Sequence, residues 1–330
     1  MIPTLDHLRE AYRVTSAVTQ ETPLLRSRPL AAPTGAASVF MKPESLQWTG
    51  SFKVRGAYWR LTRLTQDEKK RGVVAYSSGN FAQGLAAAGR ELGVPVTIVM
   101  PHDAPAAKRD ATAGYGARVV LSVHGERPRG PAAMDKAREI SRDENLALLH
   151  PFDDPEIVAG QAGVGLEAIA QLERAGARPD IVLCPVGGGG LIAGVALAFH
   201  HLLPESQVIG VEAQGFDGMN LSLDAGAQQT ARHTGAASIC DGLMAPRPGD
   251  APWASVRTTT LNGCTVTDAE VRSAMRTAFE TLKLAFEPSG AASLAALLSG
   301  KVDVAGKTVL VIASGGNVSL EDFMRHVADA

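Results

Sequence analysis

Apolar runs alternate with amphipathic stretches over residues 72 to 123. The runs GVVAY, PVTIVM and ARVVLSV predict strands, and the two stretches between them have the spacing of helices. The predicted strands are continuously apolar, which is typical of strands covered on both faces of a parallel sheet. The pattern therefore predicts a βαβαβ unit with helices at 80–92 and 105–116 and strands at 72–76, 95–100 and 117–123.

The same alternation returns in the second half of the chain. It predicts strands at 181–186, 207–213 and 307–313 and helices at 191–202 and 319–329. The stretch 124–155 is rich in glycine, proline and charge, so it is either a surface excursion or a return between two domains. We predict an α/β fold with two doubly wound lobes.

Composition narrows the class of partner. The 330 residues are 45% hydrophobic and 20% charged, enough for one or two compact domains. The net charge is -2, from 32 basic and 34 acidic residues, so we expect small molecules or further copies of the chain as partners, and neither nucleic acid nor a membrane. Three scattered cysteines, a charged N-terminus and no long apolar segment predict a cytoplasmic protein without disulfides.

Three unusual turns follow predicted strands. They are Ser77–Asn80 after GVVAY, Gly187–Gly190 after IVLCPV, and Ser314–Asn317 after KTVLVIA. In an open parallel sheet, ligands bind at the carboxyl ends of strands, where backbone N–H groups and the positive ends of helices converge. We expect the three turns to line one crevice.

Four glycines stand in a row between a predicted strand and helix. Gly187, Gly188, Gly189 and Gly190 remove every Cβ from this turn, so that successive N–H groups can surround one phosphate. The spacing matches neither the P-loop nor the dinucleotide fingerprint. The pattern favours a single terminal phosphate, and the alternative is a tight turn that needs glycine for packing.

The Ser77–Asn80 turn and Lys53 each have two interpretations from the residues alone. Serine and asparagine beside Gly79 could cap a helix, or the loop could bind a carboxylate through its N–H groups. Lys53 lies between Phe52 and Val54; it could be a surface lysine with a buried stem, or a desolvated amine that forms a Schiff base.

Taken together, these features resemble one family. The stretch SLQWTGSFKVRGA at 45–57 closely resembles the cofactor-lysine motif of fold-type II pyridoxal phosphate (PLP) enzymes, in the serine/threonine dehydratase and serine racemase family. That family also shows SSGN, GGGGL and SGGN in this order, here at 77–80, 187–191 and 314–317. Further matching phrases, such as HPFDDPEIVAGQ and EPSGAASLAALLSGK, extend the resemblance over nearly the whole chain.

The resemblance implies a fold and a cofactor site. The fold is that of tryptophan synthase β-like enzymes, with the cofactor in the cleft between a small domain at 61–148 and a large domain at 1–60 and 149–330. Lys53 is then the Schiff-base lysine. The other implied cofactor contacts are Phe52 beside the ring, Asn80 at the ring hydroxyl, Ser314 at the pyridine nitrogen, and Gly187, Gly188, Gly189, Gly190 and Leu191 at the phosphate.

The resemblance also implies an activity. Ser77, Ser78, Gly79 and Asn80 would bind the substrate carboxylate. A neutral hydroxyl at Ser314 leaves the ring nitrogen without an anionic partner, which suits rapid expulsion of a β-substituent. The implied function is a PLP-dependent ammonia-lyase that converts L-threonine or L-serine to 2-oxobutyrate or pyruvate. A homodimer is the usual assembly in the family.

Several alternatives stay open. Ser78 stands where racemases of the family carry a second acid/base, so serine racemase is one alternative, and hydroxyaspartate dehydratase is another. Phe81 and Ala82 argue against a cysteine-synthase-like enzyme, whose loop is typically SGNTG. From a different class, a non-catalytic phosphate-ligand binder would keep the glycine turns without the lysine chemistry.

The chain departs from the family pattern at three places. Phe81 replaces a histidine of many relatives, and QAGVG at 161–165 replaces the usual QGT pattern. Glu212 matches a cation ligand of some relatives, but Gly218 occupies the position of the second ligand, and Asp217 is one place early. We therefore predict no metal, although Glu212 keeps a divalent cation open as an alternative. The chain ends at residue 330, so a C-terminal regulatory domain is not expected.

Overall fold

Two β-sheets organise the protein. The structure, a computed structural model, describes residues 2–123, 125, 129–231, 237–259 and 261–328. The strands are β1 Leu25–Arg26, β2 Ser38–Pro43, β3 Val73–Tyr76, β4 Val96–Pro101, β5 Arg118–Ser122, β6 Ala147–Leu149, β7 Ile181–Pro185, β8 Gln207–Ala213, β9 Leu261–Val266 and β10 Thr308–Ala313.

Helices cover both sheets. They are α1 Leu5–Thr15, α2 Arg28–Thr34, α3 Lys53–Thr62, α4 Gln66–Arg71, α5 Asn80–Leu92, α6 Ala106–Gly114, α7 Arg129–Asp143, α8 Pro155–Gln161, α9 Gly163–Arg174, α10 Gly190–Leu202, α11 Gly218–Ala225, α12 Asp250–Val256, α13 Asp268–Leu282, α14 Pro288–Leu298 and α15 Leu320–Ala328. Two short 3₁₀ turns lie at Glu44–Leu46 and Asp241–Leu243.

The larger sheet has the strand order β1-β2-β10-β7-β8-β9. All its neighbours are parallel except β1, which pairs antiparallel with β2 at one edge. The residues of β7 and nearly all residues of β8 and β10 are buried, because apolar helices cover both faces of the sheet. Helix α10 packs on one face and α14 on the other. The predicted parallel α/β architecture is confirmed.

The smaller sheet is wholly parallel, in the order β5-β4-β3-β6. The glycine- and proline-rich stretch 124–155 supplies α7 and the strand β6, which pairs with β3. That stretch is therefore a return to the same sheet, apart from residues 124 and 126–128, which lie outside the described residues. The sheet extends from Val73 to Leu149, and the domain limits 61 and 148 stay a prediction.

Other expectations from composition concern cysteines and membranes. Cys184, Cys240 and Cys264 are free thiols, and the first two are buried. Within the part of the chain that the structure describes, no helix is both long and apolar enough to cross a bilayer.

Candidate active site

Lys53 is the first residue of α3, at the point where the chain enters this helix. Its side chain is half-buried, and Nζ donates a hydrogen bond to the Pro151 carbonyl oxygen at 3.0 Å. The Phe52 and Phe81 rings lie 5.1 and 5.8 Å from Nζ, within the range of cation–π attraction. The amine therefore lies in a half-buried setting beside two aromatic rings and not on a fully exposed surface.

This setting changes the acidity of the lysine. Burial lowers the pKa of the Lys53 ammonium to about 8, and the Glu287 carboxylate opposes that shift. An amine with such a pKa is partly neutral near physiological pH, as a nucleophile or a general base must be. The desolvated-lysine interpretation of the sequence fits this geometry.

The glycine turn joins β7 to α10. Gly189 has φ of +95°, which favours glycine, and a Cβ on Gly187 would lie 2.6 Å from the Gly242 carbonyl oxygen. No side-chain cap is present at the start of α10 within the described residues. Close packing thus requires glycine here, and the uncapped helix terminus is also suited to an anion.

Phe152 connects this turn to Lys53. Its ring occupies the space of a Cβ on Gly188, and its own Cβ would lie 3.2 Å from a Cβ on Gly190. The preceding residue, Pro151, is the hydrogen-bond acceptor of Lys53. Pro151 thus contacts the candidate amine, and the next residue, Phe152, contacts the candidate phosphate cradle.

The Ser77–Asn80 turn leads from β3 into α5. Gly79 is the N-cap residue of α5 and has no side chain, so neither serine caps this helix, and the capping interpretation is wrong. The Ser77 hydroxyl instead accepts a hydrogen bond from the Gly79 N–H at 3.2 Å. The start of α5 lacks a side-chain cap within the described chain, as a carboxylate-binding helix terminus would.

The Asn80 side chain is held by the side chains of Glu287 and Asn317, which belong to segments of the larger sheet and its helices. Its Nδ2 donates to Glu287 Oε1 at 2.5 Å, and its Oδ1 accepts from Asn317 Nδ2 at 2.8 Å. Burial raises the pKa of the Glu287 carboxyl to about 8; Asp241 adds to the shift, and the Asn80 hydrogen bond opposes it. Sequence reasoning missed Glu287, although it begins the phrase EPSGAA.

The third turn lies beside Lys53 as well. The Phe52 N–H donates to the Ser314 carbonyl oxygen at 3.2 Å, and Ser51 forms an isolated bridge with Gly315. The buried Ser314 hydroxyl lies 3.5 Å from the Ser289 carbonyl oxygen, at the limit of a hydrogen bond. The third turn thus contacts the residues just before α3. The Ser77–Asn80 turn is bonded to the third turn through Asn317, and the glycine turn packs on Phe152, next to the hydrogen-bond acceptor of Lys53.

Comparison with known proteins agrees with this geometry. The model of the family described as "Pyridoxal-phosphate dependent enzyme" matches residues 15–315. The chain belongs to this family. It is 39% identical over 319 residues to the L-threonine ammonia-lyase of Thermotoga maritima, covering 96% of this chain and 76% of that protein. It is 36% identical to the catabolic L-threonine dehydratase TdcB of Staphylococcus aureus, covering 97% and 90% respectively.

Solved structures of this PLP family resemble the fold closely. The threonine deaminase of T.th. superposes with a TM-score of 0.88 at 38% identity, covering 96% of this chain and 99% of that one. Maize serine racemase superposes with a TM-score of 0.90 at 32% identity, covering 99% and 98%. The predictions of fold-type II architecture, of PLP as cofactor and of the dehydratase and racemase group are confirmed.

The residues present fit PLP. A helix N-terminus whose N–H groups are free of side-chain caps is a favourable phosphate site, and the turn before α10 has this form within the described residues. Lys53 supplies an amine in a desolvated setting, and the Phe52 ring lies beside it. Ser314 is bonded to the Phe52 backbone, and Asn80 is bonded to Glu287, whose charge acts on Lys53. The roles of the individual residues stay predictions.

A second polar pair also lies near Lys53 in this PLP enzyme, and sequence reasoning missed it. The His150 Nδ1 accepts a hydrogen bond from the Asp153 N–H at 2.9 Å, so its Nε2–H donates to the Tyr76 hydroxyl oxygen at 2.8 Å. Burial lowers the pKa of His150, and nearby Lys53 adds to that shift. A lone histidine and a lone tyrosine, 74 positions apart, offer no sequence pattern.

The three departures from the family pattern, at Phe81, at 161–165 and at Glu212, lie in different surroundings. Phe81 lies in the first turn of α5, with its ring near Lys53. Gln161 and Gly163 instead pack against α3: the Gln161 Oε1 accepts from the Gly56 N–H at 3.2 Å. Both carboxylate oxygens of Glu212 accept backbone N–H groups of α11 at 2.8 Å.

Proposed function

We propose that this chain is a PLP-dependent ammonia-lyase that converts L-threonine and L-serine to 2-oxobutyrate and pyruvate, with release of ammonia. The observation that carries the proposal is the amine of Lys53, which has a pKa of about 8 and is hydrogen-bonded to the segment that also packs on the glycine turn. The names of the relatives, two of which are threonine ammonia-lyase and threonine dehydratase, support the same reaction class.

Each residue has a role in the proposed reaction. PLP, when bound, supplies the electron sink that makes the α-proton of an amino acid acidic. Lys53 would hold the cofactor and would then take that proton at Nζ, for which a pKa near neutrality is suited. The N–H groups of Gly187 to Gly190 and of Leu191 would hold the phosphate, and the Phe52 side chain would pack beside the ring.

Substrate orientation falls to the turn before α5. The Ser77–Asn80 turn would bind the substrate carboxylate through the N–H groups of Ser78 and Asn80, since the start of α5 carries no side-chain cap within the described chain. The other two N–H groups of the turn shape it instead: that of Ser77 donates to the Val99 carbonyl oxygen and that of Gly79 to the Ser77 hydroxyl. Asn80 would donate the second hydrogen of its Nδ2 to the ring hydroxyl oxygen, because Glu287 accepts the first. The neutral hydroxyl of Ser314 would face the ring nitrogen.

Serine racemase is the second candidate. Ser78 is half-buried in the carboxylate turn, and maize serine racemase is a structural neighbour at 32% identity. A hydroxyaspartate substrate is a variant of the lyase proposal, while a phosphate-ligand binder without catalysis would leave the desolvated amine without a role. We place the protein in the cytoplasm as a homodimer, with domain limits at 61 and 148. The proposal needs no divalent cation.

The experiment supplies L-serine, L-threonine and L-threo-3-hydroxyaspartate separately to the PLP-loaded protein. It measures both 2-oxo acid release and the chirality of the remaining amino acid, with Lys53→Ala as the inactive control. Keto acid released from threonine or serine faster than D-amino acid appears supports the lyase. D-serine appearing first, and disappearing in Ser78→Ala, makes the chain a racemase; neither product from any substrate contradicts both proposals.

A further inference from the structure

A cluster of four charged side chains lies buried beneath the start of α3. Lys42, Glu44, Arg55 and Glu167 are each no more than 2% exposed. Two cations and two anions balance within the cluster. The proposed chemistry uses none of these residues, and the sequence pattern assigned a function to none of them.

Arg55 is the centre of the cluster. Its Nε and Nη2 donate to the two oxygens of Glu44 at 2.8 and 2.9 Å, and its Nη1 and Nη2 donate to the two oxygens of Glu167 at 2.9 and 3.0 Å. The Lys42 Nζ donates to Glu167 Oε1 at 2.6 Å. Burial alone would raise the pKa of Glu44, but Arg55 lowers it overall, so this carboxyl stays ionised.

These contacts join three parts of the chain. Arg55 lies on α3, Glu44 lies in the 3₁₀ turn that follows β2, and Glu167 lies on α9. Buried ion pairs add little net stability, because desolvation offsets their attraction. What a planar guanidinium with two carboxylate partners does supply is direction, since both pairs require a fixed plane and a fixed distance. The cluster therefore fixes the rotation of α3 about its own axis.

The rotation of α3 decides where Lys53 lies, because Lys53 begins this helix two residues before Arg55. The lysine nitrogen reaches about 8 Å from a helix axis, so that a rotation of about 10° moves it by more than about 1 Å. A displacement of about 1 Å can cost about a hundredfold in rate. Bonds to α8 and its N-cap also orient α3, since Trp59 donates to Glu156 and Arg60 donates to Asp154. These residues lie one to two turns further from Lys53 than Arg55 does, so the Arg55 pairs act closest to the amine.

We propose that Arg55 is a positioning residue: its paired bonds to Glu44 and Glu167 hold α3 in the rotation that directs the Lys53 amine to the cofactor. The inference rests on the proposed role of Lys53. It assigns a function to a cluster that stability alone does not require.

The test compares two variants of the protein. One changes the charged contact between α3 and α9, and the other changes only the apolar packing of α9. Arg55→Lys keeps the charge but loses the fork, and Leu172→Ala, in the buried face of α9, removes apolar contacts only. We measure the melting temperature, PLP affinity by absorbance titration of the apoprotein, and the pH profile of borohydride-trapped adduct. Arg55→Lys is expected to weaken PLP binding at least tenfold and to move the trapping profile to higher pH. Leu172→Ala is expected to lower the melting temperature with less than a twofold change in affinity.

The outcomes separate this inference from the cofactor assignment. Equal affinity and an unmoved profile in Arg55→Lys, or a loss of affinity in both variants that follows the melting temperature, would overturn the positioning role. Wild-type protein that gives no adduct on Lys53 would instead remove the role of Lys53 itself. If Arg55→Lys does not fold, Glu44→Gln, which keeps the shape and breaks one charged pair, is read in the same way.

Discussion

Asn80 and Glu287 meet at 2.5 Å, although 207 positions separate them. Asn80 begins α5, which covers the smaller sheet, and Glu287 is the N-cap residue of α14, which covers the larger one. Because Asn317 donates to the oxygen of the Asn80 amide, the amide cannot flip without losing both bonds. Glu287 accepts one hydrogen of the Asn80 Nδ2 group. The other hydrogen stays available, and the bonds to Glu287 and Asn317 fix its direction.

The first prediction concerns the charge on Glu287. The ionised form of Glu287, which is populated near and above its own pKa of about 8, raises the pKa of Lys53, so Glu287→Gln is expected to lower the pKa of Lys53 and to shift the alkaline part of the PLP uptake profile to lower pH. Stopped-flow absorbance against pH gives the profile. A shift in the alkaline direction would contradict the electrostatic contact.

The same variant changes the dependence of stability on pH. The pKa of Glu287 is raised to about 8 by burial, so the native state holds a proton that the unfolded state has lost above its ordinary value of 4.5. The contribution to stability therefore falls as the pH rises from about 4.5 to 8, and Glu287→Gln is expected to flatten this slope. Melting temperatures of both proteins between pH 5 and pH 9 provide the check.

The second prediction tests the glycine turn. Gly188→Ala places a Cβ in the space of the Phe152 ring, so we expect a loss of about 1 to 3 kcal/mol in stability and a PLP affinity at least tenfold weaker. Gly130→Ala is the control, since a Cβ there meets nothing within 4 Å. Denaturant unfolding and a cofactor titration measure the two effects. Wild-type affinity in Gly188→Ala would remove this turn from the phosphate site.

The third prediction concerns Phe81. The ring stabilises the charged form of Lys53 by about 0.5 to 1 kcal/mol, so Phe81→Leu is expected to lower the lysine pKa by less than about one unit. Leu85→Met, one turn further along α5, is the volume-conserving control. The same pH profile of PLP uptake distinguishes them. Identical profiles for Phe81→Leu and the control would mean that the ring only fills space.

The fourth prediction concerns the ion pair between Lys108 and Asp241. Lys108 of α6 pairs with Asp241, whose turn places the Gly242 carbonyl against Gly187. Reversing either charge alone, as Lys108→Glu or Asp241→Lys, is expected to raise the KM for the amino acid severalfold, because exposed pairs contribute up to about 1 kcal/mol. The double exchange is expected to restore most of the loss at low salt. Additive losses in the double variant would show that the two side chains act separately.

The sequence predicted the parts of the site that local pattern determines. Helix α5 begins and ends where the apolar spacing places it, and the three turns follow their strands as expected. The resemblance assigned PLP and Lys53. Glu287, Phe152 and the Tyr76–His150 pair escaped prediction, because each acts through a contact between segments far apart in the chain. The charged residues around Arg55 look like surface positions in the sequence, since a one-dimensional pattern does not show that opposite charges meet in the core.

The role of Lys53 is tested most directly by loading the apoprotein with PLP at pH values from 6 to 10, reducing it with borohydride and mapping the labelled peptides by mass. With a pKa of about 8, roughly a quarter of the Lys53 amines are neutral at pH 7.5, against about one in a thousand for an ordinary lysine. We expect a single pyridoxyl adduct on Lys53, which forms with a midpoint near pH 8 and is absent in Lys53→Ala. An adduct spread over several lysines, or one that persists in Lys53→Ala, would contradict this role.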